Sequence, residues 1–128
     1  SERMGIEKCV FFTGAKKNPF PYLALGDLYV LTSYNEGFPN ALVEAMTLGI
    51  PVVSTNCMTG PAEILLDDYG RGQFTEQVIW GEYGVLVPNM SPEKNLVEHN
   101  ISDEEKNLAT VIEQILASEE TYQKYRYA

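Results

Sequence analysis

The sequence predicts an α/β domain in which a parallel sheet is flanked by helices. Three observations point there. Near-continuous apolar runs of four or five residues recur along the chain, as expected of strands covered on both faces. Segments with helical spacing fall between those runs. Glycine and proline punctuate most of the boundaries.

Taken in order, Cys9-Val10-Phe11-Phe12 reads as a strand stopped by Thr13-Gly14. The two prolines of Asn18-Pro19-Phe20-Pro21 force an extended or turning backbone. Residues 28–32 (LYVLT) form a second strand, 40–48 a helix, and 50–54 (IPVVS) a third strand. Residues 61–66 make a short helix with Pro61 at its first position, where the missing N–H loses no helical partner. Gly84-Val85-Leu86-Val87-Pro88 is a fourth strand with a breaker at each end. Within 103–118, Leu108, Val111, Ile112, Ile115 and Leu116 recur at helical spacing, and Ser102 with Glu105 fits a capping box. Two stretches fit the alternation poorly and read as surface excursions. One is 67–82, with Gly70, Gly72, Gly81 and Trp80; the other is 89–101, with His99.

The 128 residues make one domain, long enough to bury a core without staples. Hydrophobic residues at 45% and charged ones at 21% are globular values and exclude a disordered chain. Eighteen acidic against nine basic side chains give a net charge of −9. Such an excess repels nucleic acid and anionic lipid headgroups. The two cysteines, Cys9 and Cys57, form no C-x-x-C pair, so a reduced, cytoplasmic setting is expected. No apolar stretch reaches the ~20 residues of a membrane span. The opening Ser1-Glu2-Arg3-Met4 resembles neither a signal peptide nor a natural start, and the chain is expected to be a piece of a longer one.

Chemistry concentrates in Ser33-Tyr34-Asn35-Glu36-Gly37-Phe38-Pro39-Asn40-Ala41-Leu42-Val43-Glu44-Ala45-Met46. This segment starts where the second strand ends, and open α/β sheets bind ligands beyond the carboxyl ends of their strands. Pro39 suits the first helical position, leaving the N–H groups of Phe38, Asn40 and Ala41 free at the positive end of the helix. No Lys or Arg lies between Lys17 and Arg71, so an anion held here relies on backbone donors and the helix field. At about 100° per residue, Leu42, Val43, Ala45 and Met46 share the face that packs on the sheet. Asn40, Glu44 and Thr47 fall on the opposite, polar side. A carboxylate at Glu44 is placed to accept hydrogen bonds from a diol such as a ribose, and Glu36 to reach another part of the same ligand. The residues alone leave a plainer alternative open: Glu44 as a solvated carboxylate and Glu36 as a favourable charge near a helix start.

The run from Glu36 through Met46, followed by Leu48-Gly49-Ile50-Pro51-Val52-Val53-Ser54-Thr55, resembles the glutamate-x7-glutamate region of retaining group 1 (family 4) glycosyltransferases. Further matches follow in order: Asn18-Pro19-Phe20-Pro21-Tyr22, Asp27-Leu28-Tyr29-Val30-Leu31-Thr32-Ser33, Gly60-Pro61-Ala62-Glu63-Ile64-Leu65 and Gly84-Val85-Leu86-Val87-Pro88. The resemblance implies a Rossmann-like three-layer domain, the C-terminal, donor-binding half of a GT-B enzyme. Glu44 would bind the ribose hydroxyls of a nucleotide-diphosphate sugar. Glu36 would be the catalytic residue, orienting the donor sugar and stabilising developing positive charge. The backbone at Gly37, Phe38, Pro39, Asn40 and Ala41 would lie on the sugar and diphosphate, with the base near Thr13 and Gly14. Glu63 reads either as a second donor-site contact or as a partner of its helix dipole.

Full-length relatives of this kind also carry an N-terminal acceptor domain and an upstream basic clamp for the diphosphate, and neither lies within these residues. The fragment alone is therefore expected to be inactive. The complete enzyme is expected to transfer sugar, with retention, to a glycan or lipid-linked acceptor, in the cytoplasm or peripherally at the membrane. Gly70-x-Gly72 starts like a dinucleotide fingerprint, but position 75 is Thr and no strand precedes it. Asp67-Asp68 lacks the spacing of a metal clamp, and no metal or cofactor is expected, the nucleotide-sugar being a substrate. His99 sits between Glu98 and Asn100 and reads as a solvated side chain. Tyr122 and Tyr125 can share a helical face and are expected to pack against a partner domain outside this chain. Two other functions fit the same fold. One is a non-catalytic nucleotide-sensing or protein-interaction module, the other a GT-B-fold nucleotide-sugar epimerase.

Overall fold

A computed structural model describes residues 5, 6, 8–15, 17–32, 40–56, 61–66, 78–88 and 103–126, and the structural statements below concern those. The elements run α1 (Phe20–Leu23), β1 (Tyr29–Leu31), α2 (Asn40–Thr47), β2 (Val52–Thr55), α3 (Pro61–Leu65), β3 (Ile79–Trp80), β4 (Val85–Val87), α4 (Asp103–Ala117) and α5 (Glu119–Tyr125). The four strands form one sheet in the order β1-β2-β4-β3. β1, β2 and β4 are parallel, with Val30 opposite Val53 and Ser54 opposite Leu86.

Successive residues on a strand point to opposite faces, and the core divides accordingly. On one face Val53, Val85 and Val87 pack with Val111, Ile115 and Tyr125 of α4 and α5. On the other, Val52 and Leu86 pack with Leu42 and Ala45 of α2 and Leu65 of α3. Helices therefore cover both faces of the sheet, which makes three layers. Each buried Val, Leu or Ile stabilises the fold by about 1.5–3 kcal/mol relative to an exposed one.

Local chemistry sets the boundaries. α2 ends in a Schellman motif: the Gly49 N–H donates to the Met46 carbonyl (2.9 Å) and the Ile50 N–H to the Ala45 carbonyl (3.2 Å). Gly49 sits at φ +74°, a left-handed conformation that any Cβ penalises. Gly84 is required for a different reason. A Cβ there would lie 2.8 Å from both a Leu65 and a Val52 methyl and 3.1 Å from the Val52 carbonyl oxygen.

Five expectations change or narrow. Cys9-Val10-Phe11-Phe12 is not a strand: β1 pairs with β2 alone among the described residues, and Phe11 and Phe12 are 81% and 87% exposed. An apolar run becomes a strand only where a ladder partner takes its backbone groups. Of the two conformations expected for Asn18-Pro19-Phe20-Pro21, extended or turning, the chain takes the turning one and begins a helix there, since prolines at a helix start forfeit no bond. Pro19 caps α1 at φ −78°, ψ −15°, and the Asn18 side-chain oxygen accepts from the Phe20 N–H at 3.3 Å.

The third change is to the sheet, which is mixed. β3, inside the stretch read as a surface excursion, runs antiparallel to β4 with Trp80 opposite Val85. The turn between them closes with the Gly81 N–H on the Gly84 carbonyl at 2.9 Å. Fourth, Leu116 is 51% exposed. It lies about 100° around α4 from the Leu108–Val111–Ile115 stripe, at the rim of what a flat sheet covers. Fifth, Tyr122 and Tyr125 pack on this domain's own core, and the Tyr125 hydroxyl donates to the Gly81 carbonyl at 3.0 Å.

Candidate functional site

Parallel strands bring their carboxyl ends to one edge of the sheet. Leu31 of β1 stands opposite Ser54, and Thr55 of β2 opposite Val87 of β4. The Asn56 N–H extends this ladder by donating to the Val87 carbonyl at 2.8 Å. Beyond each strand end the next described element in that direction is a helix start: Asn40 after β1, Pro61 after β2, Asp103 after β4. Three helix N-termini thus follow from one edge, the arrangement in which α/β sheets hold anionic ligands.

The α2 faces fall as the spacing predicts. Leu42 and Ala45 are buried on the sheet with Met46 half-buried against them, Asn40, Ala41 and Thr47 are exposed and Glu44 is half-buried; Val43, expected on the sheet-facing side, is half-buried and belongs to neither core cluster. The Thr47 hydroxyl donates back to the Val43 carbonyl at 2.9 Å, so it is spent on the helix itself. Glu44 is held one turn past Asn40, at the flank of the helix and outside the sealed core. The first turn of α2 carries no acidic side chain, which leaves its N-terminal field uncancelled from within the helix.

Glu36, Gly37, Phe38 and Pro39 lie outside the described residues, as do Cys57, His99 and Ser102. Glu63 stands on α3, its side chain outside the described set. Thr13 and Gly14 are exposed in the segment before α1; Gly14 is left-handed at φ +72°, and the Thr13 hydroxyl reaches only the Gly14 carbonyl at 3.4 Å. Among the described residues no hydrogen bond joins Thr13 or Gly14 to α2 or to the strand ends.

Ser54, Thr55 and Asn56 form a run of buried polar residues at the carboxyl end of β2. Ser54 donates its hydroxyl to the Thr55 carbonyl at 2.9 Å. Buried polar side chains require partners, and here three follow one another at the carboxyl end of β2. The sequence carried a signal for them: an apolar strand closing in Ser-Thr-Asn. Among the described residues no group of three or more His, Cys, Asp or Glu is placed to hold a metal ion. No described helix is long and apolar enough to cross a membrane.

Comparison with known proteins gives this geometry its context. Residues 1–102 match the family model described as "Glycosyl transferases group 1". An uncharacterized glycosyltransferase of Methanocaldococcus jannaschii is 33% identical over 126 residues, which is 96% of this chain and 31% of that protein. The amylovoran biosynthesis glycosyltransferase AmsD of Erwinia amylovora is 33% identical over 94 residues, covering 73% of this chain and 27% of that protein. An N-acetylgalactosaminyltransferase of Campylobacter jejuni, named for a diphospho-undecaprenol-linked acceptor, is 31% identical over 86 residues, covering 67% of this chain and 20% of that protein. The chain spans about a third or less of the length of these relatives.

Proposed function

The chain belongs to the group 1 glycosyl transferases, and on that footing we propose that it is the C-terminal, donor-binding part of a retaining enzyme. That enzyme moves a sugar from a nucleoside diphosphate to a glycan or lipid-linked acceptor. The observation that carries the reading is α2: it starts at the carboxyl edge of the parallel strands and sets Glu44 half-buried on its polar flank.

In this reading the N-terminal amides of α2 face the diphosphate, with Asn40 and Ala41 exposed there. Glu44 accepts hydrogen bonds from the ribose diol. Glu36, together with the Gly37, Phe38 and Pro39 backbone, addresses the donor sugar, and Thr13 and Gly14 lie toward the base. Transfer breaks the bond from the anomeric carbon to the diphosphate oxygen and forms a bond to the acceptor oxygen on the same face. The departing diphosphate takes the acceptor proton. Positive charge grows on the sugar ring in between, and a carboxylate at Glu36 stabilises it. The helix field offsets the negative charge on the leaving group, so the proposal includes no resident metal or other cofactor. The reaction belongs in the cytoplasm or at its membrane surface, where the remainder of the enzyme supplies the acceptor domain.

Two relatives support the broader picture, one named for amylovoran biosynthesis and one for a diphospho-undecaprenol-linked acceptor. The test uses the full-length enzyme. Glu44→Gln is expected to raise the donor KM about 10- to 100-fold, the worth of charge-assisted hydrogen bonds to a diol. Glu36→Gln is expected to lower kcat by at least about 100-fold. NMR of the first-formed product gives the anomeric configuration, expected to equal that of the donor. Unchanged donor affinity and turnover in the two variants would overturn the proposal.

A further inference from the structure

A cleft lies between β3, the carboxyl end of α4, and α5. Trp80, Gln114, Ser118, Thr121, Lys124 and Tyr125 line it, and it is a trough open to solvent, of about 580 Å³. Trp80 is 43% exposed, with its ring centroid 6.5 Å from that of Tyr125 and the planes 30° apart. The Lys124 ammonium stands 5.0 Å from the Tyr125 ring centroid. Tyr125 itself is fixed by burial and by its hydrogen bond to the Gly81 carbonyl. The Ser118 hydroxyl oxygen accepts from the Thr121 N–H at 3.2 Å and keeps its own proton to donate. Among the described residues no hydrogen bond engages the Gln114 amide or the Trp80 indole N–H.

We propose that this cleft is a second glycan-binding site, holding a stretch of neutral sugar residues away from the place of transfer. A sugar ring combines a face of weakly positive C–H groups with a rim of hydroxyls. The cleft offers the complement: the exposed face of the Trp80 indole with its negative π density, backed by the buried Tyr125 ring, and amide, hydroxyl and ammonium groups around it. Other ligand classes fit less well. The chain carries −9, and exposed Glu119 and Glu120 open α5 beside the single lysine of the lining, a poor setting for nucleic acid, phosphate or anionic lipid. An apolar peptide would leave four polar side chains of the lining facing it.

The cleft is separate from the donor edge. Trp80 pairs with Val85, the first residue of β4, so the cleft lies toward the amino ends of the parallel strands. β3 and β1 are opposite edges of the sheet, three strand spacings or roughly 14 Å apart. A glycan held there is tethered to the domain that carries the donor, which raises its effective concentration near the reaction. The ligand class follows from the cleft; only the presence of glycan nearby rests on the transferase reading.

The full-length protein, labelled with 5-fluorotryptophan and with the Trp80 resonance identified by Trp80→Phe, is titrated with maltohexaose, with chitohexaose and, separately, with UDP. A hexasaccharide is expected to shift the Trp80 fluorine resonance saturably at up to about 10 mM, and UDP to leave it in place. Gln114→Ala, at an exposed helix position, is expected to weaken binding about fivefold by the same resonance, and Trp80→Ala, which lacks that probe, about tenfold by isothermal titration calorimetry, each with an unchanged circular dichroism spectrum. Glu44→Gln is expected to bind the hexasaccharide as the wild type does, so failure of the donor-site reading would appear in its donor KM and not here. The proposal is overturned if neither hexasaccharide gives a saturable shift, if UDP gives the same shift, or if Gln114→Ala and Thr121→Ala both bind unchanged.

Discussion

The half-buried position of Glu44 follows from where α2 turns its faces: Leu42 and Ala45 are sealed against the sheet, while Asn40 and Thr47 stand in solvent. A carboxylate there needs no buried partner to fold. Glu44→Gln is therefore expected to change unfolding free energy by less than about 0.5 kcal/mol in urea denaturation, whatever it does to donor affinity. Gly84 has no such latitude. Gly84→Ala drives a methyl against Leu65, Val52 and the β2 backbone, and its midpoint should fall by an amount worth about 1–3 kcal/mol. A Gly84→Ala protein as stable as the parent would mean that α3 does not seat on this turn.

At the scale of elements, α4 shows how a helix's buried stripe is narrower than its apolar one. Val111 and Ile115 are buried against β4, Leu108 and Ile112 are half-covered, and Leu116 is left at the rim. Ile115→Ala should cost about 2–5 kcal/mol and Leu116→Ala under about 1 kcal/mol, by thermal or denaturant unfolding. Equal costs would mean that α4 is rotated from the orientation described. α5 then closes the layer, because Tyr125 fills the end of the core and ties its hydroxyl to the Gly81 carbonyl. The short β3 strand and the last helix thus support each other, and neither has enough periodic sequence to announce the pairing.

For the whole molecule, the strand order and the parallel pairings set the carboxyl edge, where we propose the donor binds, and the Trp80 cleft at opposite ends of the sheet. Labelled with ¹⁵N and titrated with UDP or GDP, the protein is expected to show amide shifts at Asn40, Ala41, Glu44 and Ser54 to Asn56. Amides of Gln114 to Lys124 are expected to stay put. Shifts confined to the second group would place the nucleotide at the wrong end of the fold. The global charge of −9 opposes an anionic ligand, and the local field of α2 is what opposes the charge in turn.

Some of this was decided by local chemistry, which a sequence displays directly. The alternation of apolar runs with helical spacing gave β1, α2, β2, α3, β4 and α4 within a few residues, because patterning acts over one element at a time. The division of α2 into a sheet-facing side and a polar flank bearing Glu44 was legible for the same reason. Other features needed partners distant in the chain. Whether Cys9-Val10-Phe11-Phe12 pairs, that Ile79 and Trp80 do, and that Tyr122 and Tyr125 turn inward all depend on which surfaces meet after folding. A strand exists through its neighbour's backbone groups, and a cleft through three elements meeting. Only tertiary structure supplies either.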